Sequence, residues 1–342
     1  MMIRLGYRSL TLVILFGSMF SVLILAAAAA EDKNSWEFIA GYNYFHLRDD
    51  LPEAYRDYLE PDSKTADLEV GFSTGNDKGQ FSMSLDGKGN SDAFETNLKE
   101  FSWSEKANRT LYEIGKAKWV WGRGLSYIPT CPLDKDTYYW GLQSSIIHPG
   151  HSFTIGAAVD DDSFYSNDNN NNIKTIDSEN GYYGWLREGW VFDTSDLTAI
   201  MAYQSVKNYW NYGLDFSRDL LNGFELHGGF NFRSPDSKVK YLIGGEYSGK
   251  YFYLMEFYHE ADDQLILSMS NSTNMLGSWQ WELREIYDFN DEGEIRQFNI
   301  KYIKINNIVP ELDISMNVGP KDSMYRQNPF DYSASLKVTM KF

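Results

Sequence analysis

The sequence predicts an all-β protein, a transmembrane antiparallel β-barrel of about 16–18 strands, with 14 left open should the strands be fewer and longer. Three observations carry that expectation. Short apolar/polar alternations recur along most of the chain, which is the period of a strand with one dry and one wet face. Tyr, Phe and Trp number 24, 21 and 10, or 16% of all residues, which suits girdles of aromatic side chains at two membrane interfaces. Beyond residue 30 no run approaches the ~20 apolar residues of a membrane-spanning helix. Mean hydropathy is only −0.45, yet a barrel strand shows half its residues to water, so a low average is compatible with membrane insertion.

Residues 1–30 are expected to be a cleavable signal segment rather than part of the fold. Arg4 and Arg8 precede an apolar run from Leu10 to Leu25. Ala28 and Ala30 then offer the small residues of a cleavage site before Glu31. An uncleaved membrane anchor is the alternative, since the run is nearly long enough to span. Residues 31–342 are expected to form one barrel domain, because no Pro- or Ser-rich linker and no fixed repeat divides them.

Within that domain the clearest alternations are Phe38-Ala40-Tyr42-Tyr44, Ala66-Leu68-Val70-Phe72, Phe224-Leu226-Gly228-Phe230 and Tyr251-Tyr253-Met255-Phe257. The final one runs Tyr332, Ala334, Leu336, Val338, Met340, Phe342, with Ser and Lys between. Turn chemistry separates such runs: GNDKG at 75–79, HPGH at 148–151, SPDS at 234–237 and NDEG at 290–293 supply the special φ values of tight turns. The longest connections, 48–64, 122–136, 160–180 and 319–331, follow candidate strands 1, 5, 7 and 17. All are odd, as in a barrel whose long loops share one end and whose short turns share the other.

Composition narrows function. The formal charge of −17 argues against nucleic acid as a partner, because phosphate recognition needs a basic surface. Cys131 is the only cysteine, so no disulfide within the chain and no cysteine-based metal cluster is expected. The run Asp160-Asp161-Asp162, with Asp168 and Asp177, has hard oxygens but lacks the spacing of a calcium loop, so no metal and no cofactor is expected. None of the five histidines sits in a triad motif. The best candidate for barrel enzymology is His259-Glu260, and a solvated pair at a strand end is preferred to a catalytic one.

The terminal SASLKVTMKF resembles the closing strand of Gram-negative outer-membrane barrels. That resemblance implies an assembly signal carried by Leu336, Val338, Met340 and Phe342 and read by the barrel assembly machinery. It also implies Sec-type export and contact with outer-membrane lipids and lipopolysaccharide. A second stretch, LYEIGKAKWVWGRGLSYIPT at 111–130, resembles a segment of porin-like families: Gly115, Lys116, Lys118, then Trp121-Gly122-Arg123-Gly124, then Pro129. The resemblance implies a channel for passive diffusion of small hydrophilic solutes or ions, with homotrimers common among such proteins. A non-conducting barrel that is structural or assists export is the alternative, and a barrel enzyme a more remote one.

If 110–121 is one strand, Trp119 and Trp121 share a face and belong to the lipid headgroup belt. Lys116 and Lys118 then share the lumen face, since a lysine facing lipid at mid-depth costs roughly 2–4 kcal/mol. In porins the third outer loop often folds inward. By that resemblance Arg123, Asp134, Lys135 and Asp136 line a constriction with the two lysines. Arg187, Arg284, Arg296 and Lys301 are further candidates for biasing the pore. The alternative is that all are ordinary lumen-wall residues in a wide aqueous space.

Overall fold

The computed structural model describes residues 34–48, 64–76, 78–90, 94–122, 127–131, 133, 137–159, 181–271, 278–303, 307–320 and 323–342. The expected signal segment, the 160–162 acidic run, and Arg123, Asp134, Lys135 and Asp136 lie outside those residues. Strands β1 (Asn34–Leu47), β2 (Lys64–Gly75), β3 (Gly79–Gly89), β4 (Phe94–Ala107), β5 (Thr110–Ala117) and β6 (Tyr139–His148) come first. They are followed by β7 (His151–Val159), β8 (Tyr182–Val191), β9 (Ser195–Gln204), β10 (Tyr209–Asp219), β11 (Phe224–Ser234) and β12 (Lys238–Ser248). The last six are β13 (Tyr251–His259), β14 (Asp263–Asn271), β15 (Trp279–Asp288), β16 (Glu294–Tyr302), β17 (Ile308–Val318) and β18 (Phe330–Lys341).

Each strand pairs antiparallel with the next, and β18 returns to β1, so one 18-stranded sheet closes on itself. This corrects the expectation of the strand count: a barrel of about 14 is overturned. The reason is local. Turn residues interrupt the alternation too often for longer strands, as where Asn108 (φ 56°) and Gly150 (φ 75°) reverse the chain within two residues. The resulting strands are short, from 8 residues in β5 to 14 in β1.

The two faces are chemically distinct. One carries Tyr42, Ile114, Leu142, Met255 and Leu336, each at least half exposed, and forms an apolar exterior suited to hydrocarbon. The other carries Asn43, Glu69, Ser84, Arg187, Asp215 and Asn299, which the pairing register places together on the inside. The connections sort by end as well. Turns after even strands are brief, such as 76–78, 108–109 and 249–250, whereas 48–63, 118–138, 160–181 and 319–329 all follow odd strands.

The terminal strand forms the seam. Phe38 faces Met340 and Tyr42 faces Leu336 across it. The last residue is held too: Trp36 N donates to Phe342 O, and Phe342 N to Trp36 O, both at 2.9 Å. Closure thus pairs a strand end that would otherwise present free backbone groups.

Candidate functional site: the barrel lumen

The interior is shaped by the connection between β5 and β6. Gly115 has φ 129°, and a Cβ there would lie 2.0 Å from Phe101 O, so only glycine fits. Two residues later the ladder ends at Ala117, and the chain turns into the barrel instead of running on along the wall. This corrects the reading of 110–121 as one strand. Trp119 and Trp121, expected in a lipid belt, are 4% and 6% exposed and pack inside against Trp185, with ring centroids 6.1 and 5.1 Å away. The indole Nε1 of Trp119 donates to Tyr139 O at 2.9 Å. Burial of such large rings gives the infolded segment its hydrophobic anchor.

The wall is cut to receive them. Gly141 on β6 and Gly156 on β7 face inward; a Cβ at Gly156 would come within 2.3 Å of the Trp185 ring, and one at Gly141 within 2.8 Å of Trp119 Nε1. Inward-facing Ala158, Tyr183, Ile200 and Ala202 complete the apolar patch, with Leu133 and Cys131 from the loop packed on it. Burial pushes the Cys131 thiol up to about 11, so it is protonated at neutral pH.

Further on, the loop fastens to a different sector. Thr130 Oγ1 lies 2.8 and 2.7 Å from the two carboxylate oxygens of Asp215 on β10. Tyr127 stacks on Tyr258 of β13, with centroids 4.3 Å apart and planes 11° from parallel. The β17–β18 connection adds Tyr325, whose hydroxyl accepts from Gln264 Nε2 at 3.2 Å. Burial, the largest cause, raises both the Tyr127 and Tyr325 hydroxyls above their ordinary range, and nearby Asp288 adds to each.

Space remains beside this structure. One chamber of about 440 Å³ is bounded by Ser82, Ser102, Glu113, Lys118, Tyr138 and Gln143. A second, of about 320 Å³, is bounded by Arg284, Asn299, Lys301, Glu311, Asp313 and Ser335. Charges on this wall are interleaved. Lys301 faces Glu311, Glu311 faces Lys337, and Asp67 faces Lys88 across successive strands. Carboxamides also bond these acids and a third: Asn299 Nδ2 donates to Glu311 and Asp313, and Asn43 Nδ2 to Asp67.

The residues singled out from sequence separate accordingly. Lys118 borders the larger chamber, its ammonium 5.1 Å from the Tyr138 ring centroid. Lys116 does not share that setting: the register puts it on the face of Ile114, it is 7% exposed, and Nζ donates to Leu98 O at 2.5 Å. Arg187, Arg284 and Lys301 are on the inner face. Arg296 is on the outer face, with its guanidinium 2.6 Å from Glu294. His259 and Glu260 are not partners, since His259 Nδ1 meets Asp263 at 2.6 Å while Glu260 takes Lys240 and, at 2.7 Å, the Tyr258 hydroxyl. Sequence reasoning missed Thr130, Asp215 and the glycine berth. The available signal was Gly141 and Gly156, small residues at inward positions opposite a tryptophan-rich stretch.

No protein-family model and no curated protein sequence matches the chain. Solved structures do. A BenF-like porin from Pseudomonas fluorescens Pf-5 superposes with a TM-score of 0.62 at 11% identity, covering 91% of this chain and 99% of that one. Pseudomonas aeruginosa OccK2 (OpdF) gives 0.60 at 11% identity over 91% and 97%. Pseudomonas aeruginosa OprD gives 0.58 at 10% identity over 90% and 95%. The fold is that of the outer-membrane porins. At its described residues 127–131 and 133 the β5–β6 connection packs inside the wall.

Proposed function

We propose that the chain is an outer-membrane channel for passive diffusion of small hydrophilic solutes or ions. The observation that carries this is the lumen itself: one polar chamber lies beside an infolded loop and another along β15–β18, inside a wall whose outer face is apolar. Barrels of 16–18 strands are wide enough to leave such an aqueous path. Lys118 belongs to the constriction, and the proposal extends to Arg123, Asp134, Lys135 and Asp136 of the same connection. Export of the precursor by the Sec route, removal of residues 1–30, and recognition of Leu336, Val338, Met340 and Phe342 by the assembly machinery complete the reading. The surrounding partners are outer-membrane lipids and lipopolysaccharide, and a homotrimer is the assembly to test by sedimentation in detergent. No enzymatic role is proposed: the pair singled out from sequence, His259 and Glu260, is divided between different partners, Asp263 for one and Lys240 for the other.

Reconstitution into planar lipid bilayers tests the proposal. Discrete, voltage-stable conductance steps are expected from the refolded protein. A folded barrel that inserts yet passes no current would instead favour a structural or export-assisting role.

A further inference from the structure

We infer that the lumen passes cations in preference to anions, an inference that rests on the channel reading and names the class of solute it favours. Several of the basic residues that could attract anions are already engaged. Lys116 is bound to a backbone carbonyl, and Arg296 is outside the barrel. Arg284 is 3.1 Å from Glu282, and Lys99 is bonded to Glu69. Near the outer rim Arg233 is 2.8 Å from Asp236, and Lys240 is bonded to Glu260. Each of these base–carboxylate pairs is electrically neutral and exerts little field at a distance.

The inner-face acids are not balanced in the same way. Asp219, Glu225 and Glu246 are consecutive cross-strand partners on β10, β11 and β12, at the end of the barrel where β1 begins and β18 ends. Side chains directly opposite one another have Cβ atoms about 4.5–5.5 Å apart, and like charges there repel. The row continues through Leu254 and Ser268 and meets its first inward base only at Arg284, three strands on, which is paired with Glu282. One row deeper, Glu256 meets the imidazole of His227 at 2.9 Å. Near the seam, Asp313 is held by the neutral carboxamide of Asn299. Most of the bases named here stand beside a carboxylate, whereas the Asp219–Glu225–Glu246 row contains no base, and mobile cations supply the countercharge missing there. A low-dielectric wall concentrates that field across the water-filled path.

The test is the reversal potential of reconstituted channels in a KCl gradient. Potassium permeability several-fold above chloride is expected at ~0.1 M salt, falling toward equality near ~1 M as the screening length shrinks from about 10 to about 3 Å. The double substitution Glu225→Gln/Glu246→Gln is expected to lower the ratio at ~0.1 M, the concentration at which screening is weaker. Chloride preference, or a cation preference that ignores both salt and substitution, overturns the inference while leaving a channel in place. Absence of any conductance overturns the channel reading, and this inference with it. Should the variant fail to fold, the salt series on the unmodified protein still decides.

Discussion

The hydroxyl of Thr130 lies 2.8 and 2.7 Å from the two oxygens of Asp215, and both residues are buried, at 0% and 3% exposure. This contact joins residues 85 apart in sequence and ties the infolded loop to a different sector of the wall, at β10. A hydrogen bond to a charged group contributes about 1.5–3 kcal/mol. Thr130→Val keeps the volume and removes the donor, so the loop is expected to undock transiently. Open-channel current noise should rise while the circular dichroism of the sheet stays unchanged. A trace as quiet as that of the unmodified channel would remove the latch from the account.

The glycine berth makes a steric prediction. Gly156→Leu puts carbon where the Trp185 ring lies, since even a Cβ would sit 2.3 Å from it. Overpacking of this kind costs typically 1–3 kcal/mol, and it should dissolve the Trp119–Trp185–Trp121 cluster. The readouts are a loss of near-ultraviolet ellipticity and a red-shifted tryptophan emission. Gly184→Ala is the control, because a Cβ there meets nothing within 4 Å.

Cys131 gives a pH prediction. Burial raises its thiol to about 11, and the thiolate is the reactive form. Maleimide should therefore label the folded barrel slowly at neutral pH and rapidly once it is unfolded. The sign for stability follows by linkage: an unfolded thiol ionises near ~8.5 while the folded one keeps its proton, so stability falls as pH rises from there toward about 11. Rapid labelling of the folded protein at pH 7 would contradict the packed position of the loop.

The seam separates two roles of the last residue. Phe342→Ala keeps both 2.9 Å backbone bonds to Trp36, whereas deletion of Phe342 removes them. If the aromatic ring is an assembly signal, the substitution should lower outer-membrane insertion in cells but leave refolding into detergent intact. Deletion should lower both, by about 0.5–1.5 kcal/mol for each lost bond in the refolding measurement. Heat-modifiable gel mobility reads each outcome.

How far the sequence reached varied from element to element. The run from Tyr332 to Phe342 announced its strand and its two faces, because period two is a local property of the backbone and needs no knowledge of neighbours. The hairpin at Gly150 was legible for the same reason, since left-handed φ restricts residue choice on the spot. Trp119 and Trp121 were misplaced because the alternation of β5 was extended past Ala117, where the ladder had already ended. Lys116 was misplaced because spacing alone says which residues share a face and not which face meets water.

The amino-acid order by itself determined strands, turns, the chemical contrast between alternate side chains and the sorting of long loops to one end. Only the tertiary structure decided that the circle closes at 18 strands, that the tryptophan segment lies within it, and which charges are neutralised there. The physical reason is range. Backbone geometry and turn chemistry act over a few residues, whereas Thr130 meeting Asp215, or Trp119 settling on Gly141, depends on contacts that exist only once the wall is complete.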